Sequence, residues 1–244
     1  MQWGFMSFTH ILSLVLSCGI TAGLYFLLKN KSIRTQTAVL GVLSFSGISA
    51  IIFNLVSWSS PLEYLPLHLC SLTALILPLC VFTRNNVLCN LSILWSLGAI
   101  LALVVNTAQA EYEILSWTFA FYYFPHTFEF AIPVLLFTLK LARKEIKYIW
   151  TSIGITLAAF TLIHFINLLL NQHCMVNNLL GPSGNVIQVN FMYSLRPENP
   201  VLDFFYRLIP HPYWYMWLAI PVMAAYLVPI YAREIVGAVK KHRK

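Results

Sequence analysis

Residues 65–80 read LPLHLCSLTALILPLC. Nearly every position is apolar. Two prolines, Pro66 and Pro78, interrupt the run, and His68 and Cys70 stand two residues apart near its start. Such a stretch belongs either to the core of a soluble domain or to a membrane. Composition decides between them. The 244 residues are 59% hydrophobic and only 9% charged, against about 25% charged in soluble domains. The apolar surface must therefore face lipid, and the whole chain, residues 1–244, reads as one integral, all-α membrane domain.

A hydrocarbon core asks for about 20 apolar residues per helix. Seven stretches qualify: 8–28, 37–57, 64–83, 86–106, 115–139, 148–170 and 212–232. The expected fold is thus a polytopic bundle of seven transmembrane helices. The third and fourth form a hairpin around Arg84–Asn85. The Ser- and Gly-containing stretch GVLSFSGISA in the second span permits close helix approach. No basic region precedes the first apolar run, whose length suits a span rather than a cleaved signal.

When seven spans alternate, Lys29, Lys31, Arg34, Arg84, Lys140, Arg143, Lys144, Lys147, Arg233, Lys240, Lys241, Arg243 and Lys244 fall on one side. That is thirteen of the fifteen Lys and Arg, leaving Arg196 and Arg207 opposite. The positive-inside rule then puts the N-terminus outside and the C-terminus in the cytoplasm of the cell membrane. The net charge of +7 is explained by this asymmetry. Residues 233–244 read as a basic cytoplasmic tail facing anionic lipid, and no nucleic-acid partner is needed. Residues 171–211 read as an extracytoplasmic loop over the mouth of the bundle, with a short helix at VLDFFYRL.

The five cysteines (Cys18, Cys70, Cys80, Cys89, Cys174) show neither metal-ligand spacing nor a secreted disulfide framework. No metal or cofactor is called for. A free cysteine in an apolar run is ordinarily a small hydrophobe. Polar groups at membrane depth are expensive and so become functional candidates. Glu129 is the one carboxylate within a span, with His126 three residues before it and Pro125 beside that. They read either as a paired polar couple or as a base with an orienting carboxylate. His164, Asn167 and Asn171 form one stripe on the sixth span, as interhelical glue or as cavity lining. His10, His173 and His211 read as interfacial. On a straight helix His68 and Cys70 diverge by about 200°, so a base for Cys70 should come from another helix unless the Pro66 lead-in is non-helical. Depth counting puts Cys70, His126 and His164 in the same half of the bundle.

LPLHLCSL, the histidine of the fifth span and NFMYSLRPENPVLDFFYRLIPHPYWY (residues 190–215) together resemble the YwaF family of bacterial integral membrane proteins. The likeness covers nearly the whole chain. That family is similar to the eukaryotic transmembrane protein 164 group, taken to be cysteine-dependent acyltransferases that load fatty acyl chains onto lysophospholipids. The resemblance implies a role in phospholipid metabolism with Cys70 as nucleophile and His126 as base. His68 lies in the motif without an assigned role. FYYFPHTFEF departs from the expected pattern in its proline and glutamate.

Three function classes follow. The first is an intramembrane acyltransferase acting on membrane phospholipids through a Cys70 thioester. His126 would be its base and His68, Glu129, His164 and Asn167 supporting groups. A thiolate is the reactive species, so Cys70 needs a base within reach. Arg196 would grip a lipid phosphate bidentately, with Asn190 and Tyr193 of the same stretch; the alternative for Arg196 is an ion pair with Glu198 or Asp203. The second class is a transporter or channel along Asn106, His126, Glu129 and His164. The third is a non-catalytic lipid-binding protein.

Overall fold

A computed structural model describes every residue except 59, 106, 243 and 244. Asn106, Arg243 and Lys244 therefore lie outside the described residues. The helices are α1 (Phe8–Leu28), α2 (Ile33–Ser44), α3 (Ser46–Ser57), α4 (Leu69–Thr83), α5 (Asn86–Val104), α6 (Trp117–Thr138), α7 (Lys147–Val176), α8 (Pro200–Leu208), α9 (Ala219–Ile230) and α10 (Ala232–His242). Among the described residues the strand-like pairings are two isolated bridges, Gln2–Glu113 and Leu180–Val186, and short 3-10 turns and irregular segments link the helices.

Several helices start where a short polar side chain can take up a free first-turn N–H. Ser7, Ser32, Asn85, Ser116 and Asn199 accept those bonds at α1, α2, α5, α6 and α8. Asn85 also closes the α4–α5 hairpin, where Arg84 turns the chain in the left-handed region (φ 53°).

Helix α1 is built inside out. Its buried residues are His10, Ser13, Ser17 and Leu28, while Ile11, Leu12, Val15 and Leu16 are exposed. Water would reject that pattern, and lipid demands it. Ser17 Oγ lies 2.9 Å from both the Tyr123 hydroxyl and Thr127 Oγ1, and Tyr123 donates to the Ser13 carbonyl at 2.7 Å. Interhelical hydrogen bonds thus do the joining here. His10 stands at the start of α1, with its side chain turned into the bundle. It is fully buried: its Nδ1 accepts the Met6 N–H at 3.0 Å and its Nε2 bonds the Leu103 carbonyl at 2.8 Å. The first residues fold back onto the bundle, seating Trp3 beside Tyr122.

Helix α5 is the axis of the bundle and packs on α4, α6, α7 and α9. Residues 89–96 are buried on every face, as a helix enclosed by neighbours requires. Leu77, Cys80 and Val81 near the end of α4 share one apolar cluster with Leu135 and Leu136 near the end of α6. Helices α4 and α6 therefore run in the same direction.

Four stretches are long and apolar enough to cross a membrane: Phe8–Leu28, Ile33–Ser57, Asn86–Val104 and Lys147–Val176. A fifth is the pair Trp214–Ile230 and Ala232–Lys240, bent by 78°. The expected seven are thus four to five on length and composition. Helix α4 has only 15 residues, because residues 64–68 are not part of it. Helix α6 has 22, but its tyrosines, His126 and Glu129 dilute its hydropathy. The stretch given to a loop from residue 171 is also corrected, since α7 continues to Val176.

Candidate functional site

The chain reaches α4 through a tight turn at Pro61–Tyr64 and an extended stretch ending at His68 (φ −76°, ψ 156°). Proline at 66 disfavours helix in the residue before it, and the helix begins only at Leu69. The 200° divergence expected for His68 and Cys70 does not apply, because His68 is not on the helix. Its Nδ1 accepts the Met192 N–H at 3.3 Å, and its ring packs on Phe191 and Tyr193, with centroids 5.4 and 5.3 Å away. Cys70 is half-buried in the first turn.

Gly47 of α3 calibrates the depth of the other groups. A Cβ there would lie 2.4 Å from the Ala74 Cβ and 3.3 Å from Glu129 Oε1. Glycine is what lets α3, α4 and α6 meet. The Glu129 carboxylate thus reaches the Ala74 level of α4. Along their own helices Cys70 is four residues before Ala74, about 6 Å, and His126 is three before Glu129, about 4.5 Å, so both lie toward the starts of α4 and α6. Cys70 is also within electrostatic range of Glu129, Tyr122 and Tyr193.

Helix α6 runs on through Pro125 and Pro133. His126 is buried, and its Nδ1 stands 2.7 Å from the Tyr122 carbonyl. A carbonyl only accepts, so Nδ1 carries the ring proton and Nε2 holds the lone pair. Nε2 makes no hydrogen bond, and none joins Cys70 to a histidine among the described residues. The orienting group is thus a backbone carbonyl rather than Glu129, whose buried Oε2 has no partner. Tyr122 was missed in the sequence. Its ring lies against His126 (4.3 Å) and its hydroxyl donates to the Ala102 carbonyl at 3.0 Å. The available signal was its position one turn before His126 in FYYFPH.

The polar stripe of α7 has another task. Asn171 exchanges two hydrogen bonds with the Val189 backbone, at 2.7 and 2.9 Å. Asn167 does the same with Phe191 at 3.0 and 2.8 Å and also donates to Ser194 at 2.9 Å. His164 meets Ser194 at 3.0 Å, not Cys70. These side chains replace a neighbouring strand for residues 189–194. They hold Met192 and Tyr193 in the left-handed region (φ 52° and 55°) over His68. Asn190 is not available to a headgroup: its amide bonds Arg196 O, Glu198 Oε1 and Leu195 N within the loop. Arg196 is exposed, 3.5 Å from Glu198 and 3.2 Å from Gln188. It lines a polar cleft together with Glu63, Asn185 and Gln188.

No group of three His, Cys, Asp or Glu suited to a metal occurs among the described residues. What the fold carries on these helices is a thiol in the first turn of α4 and, on α6, an imidazole oriented by a backbone carbonyl and a buried carboxyl. The apolar helices define a helical integral membrane protein. The chain belongs to the TMEM164 family, whose sequence model matches residues 5–230. No curated protein and no solved structure matches it.

Proposed function

We propose that this is a YwaF-type, seven-span enzyme of the cell membrane, N-terminus outside and C-terminus cytoplasmic, that transfers acyl chains between membrane phospholipids through a Cys70 thioester. The observation that carries it is the buried His126 ring, with Nδ1 tied to the Tyr122 carbonyl and Nε2 unpartnered among the described residues. An imidazole oriented through one nitrogen and free at the other is what a general base requires. In this reaction His126 takes the thiol proton. The sulfur attacks an ester carbonyl carbon, and the lysophospholipid leaves with that proton. A second lysolipid then gives His126 its hydroxyl proton and attacks the thioester, regenerating the thiol. Apolar surroundings keep water out and favour transfer over hydrolysis. Arg196 supports the reading, since its exposed guanidinium can exchange Glu198 for a lipid phosphate. Helix α10, bent away from α9 and carrying basic residues, suits the cytoplasmic face.

The experiment is acyl exchange in vesicles holding labelled phospholipid and lysophospholipid. Wild type should exchange chains and hold a hydroxylamine-labile acyl group on Cys70. A Cys70→Ala protein that exchanges chains as fast as wild type ends the proposal. Glu129, buried with an unpartnered Oε2, favours a second reading as a transport path. Solute passage that depends on Glu129 and not on Cys70 would select it.

A further inference from the structure

Attack on an ester leaves a negative oxygen that needs donors. The Cys70 backbone N–H, in a first turn without a side-chain cap, can be one, and a second has to come from another element. Two phenols stand nearby: the Tyr122 ring lies 4.3 Å from that of His126, and the Tyr193 ring lies 5.3 Å from that of His68, two residues before Cys70. Tyr122 is committed, since its hydroxyl donates to the Ala102 carbonyl at 3.0 Å. The Tyr193 hydroxyl makes no hydrogen bond among the described residues, although the backbone carbonyl of the same residue accepts from Tyr215. The chain also goes to unusual lengths to hold Tyr193 there. Met192 and Tyr193 are consecutive non-glycine residues with positive φ, each costing about 1–3 kcal/mol. Asn167 grips both sides of the Phe191 peptide, and His68 accepts the Met192 N–H. A strained segment clamped by α7 and by the residue that precedes α4, presenting an unpartnered donor over the start of α4, is a device for aiming that donor.

We propose that Tyr193 is a catalytic residue: its hydroxyl donates a hydrogen bond to the oxyanion of the tetrahedral intermediate formed on Cys70. The inference rests on the acyl-transfer function proposed above. When the sulfur–carbon bond forms, the carbonyl π pair moves onto oxygen and Tyr193 O–H turns to it. When the carbonyl re-forms, the ester C–O bond breaks, and the leaving oxygen takes the proton that His126 received from the thiol. Tyr193 gives up no proton. Burial, and then the neighbouring Cys70 and Glu198, push its phenol above the ordinary tyrosine range, which keeps the donor protonated at neutral pH. His68 and Asn167 are positioning residues that hold the segment.

The test is Tyr193→Phe, which keeps the ring against His68 and removes only the donor. Acyl-thioester formation should slow by about 10²–10³-fold, the usual loss for one oxyanion donor, with KM for the phospholipid unchanged. A long-chain trifluoromethyl ketone, which forms a tetrahedral adduct with the Cys70 thiol, should lose affinity in parallel, while alkylation of Cys70 by iodoacetamide stays at the wild-type rate. Difluorotyrosine at position 193 gives a second measurement should the phenylalanine variant not accumulate. It makes the phenol more acidic, so the alkaline loss of activity should begin at lower pH. If Tyr193→Phe forms the thioester and binds the ketone like wild type, or if fluorination leaves the pH profile unmoved, the assignment is wrong. If wild type itself forms no thioester, the acyl-transfer function falls, and this assignment with it.

Discussion

The two ends of α4 each carry a cysteine, and they could hardly differ more. Cys70 is half-buried in the first turn, with His68, Tyr122, Tyr193 and Glu129 around it. Cys80 is fully buried among Leu28, Leu40, Leu77 and Leu136, and the nearby Cys89 thiol points at its carbonyl, 3.7 Å away. One helix thus holds the same side chain as a candidate nucleophile at one end and as packing at the other. Reactivity belongs to the surroundings rather than to the residue. The His68 end is supplied with polar groups by a clamped loop and by α6. The Arg84 end is sealed by leucines.

The largest expected effect separates the two thiols. Cys70→Ala should abolish acyl transfer while leaving the thermal midpoint in detergent near wild type. Cys80→Ala should keep the activity and lose about 1 kcal/mol of stability through lost packing. The reverse result would dissolve the comparison. Next comes His126→Gln, expected to slow transfer by about 10²–10⁴-fold, the range for a general base, in initial-rate measurements on a protein that still binds lipid. Gly47→Ala is an intermediate case. Its Cβ would collide with Ala74, and overpacking of this kind costs about 1–3 kcal/mol. Gly154→Ala, with nothing within 4 Å of the added carbon, serves as the control and should melt with wild type. The smallest effect is expected for breaking the Arg196–Glu198 pair. Both partners are about half exposed, so Glu198→Gln should change stability by less than about 1 kcal/mol. A thermal melt showing a larger loss would mean that the ion pair itself holds this loop, because glutamine can still accept from the Asn190 amide.

Much of this contrast was legible in LPLHLCSLTALILPLC. The stretch announces an apolar helix and a cysteine with an unusual neighbour, and Arg84–Asn85 just beyond it announces the hairpin. The α7 stripe was legible too, because His164, Asn167 and Asn171 repeat at helical spacing. Its partner was not. Asn167 and Asn171 bond residues 189–194, and nothing local signals that an irregular loop will be stitched to a helix by amides. The partners of His10 were illegible for the same reason: they are the folded-back Met6 and the distant Leu103. Asn190 has the look of a surface ligand group, yet its bonds close its own loop.

The sequence by itself determined the solvent. So few charges and such long apolar runs are compatible only with lipid, because lipid satisfies no backbone polar group and tolerates almost no charge. It also determined which residues are costly enough to need a reason, His126 and Glu129, while Cys70 stood out through the family resemblance. Only the tertiary structure decided their surroundings. Where α4 starts, how closely Gly47 lets three helices approach, and which carbonyl orients His126 all depend on contacts between residues far apart in the chain. So does the place of Tyr193 beside Cys70, which no spacing within either segment could specify.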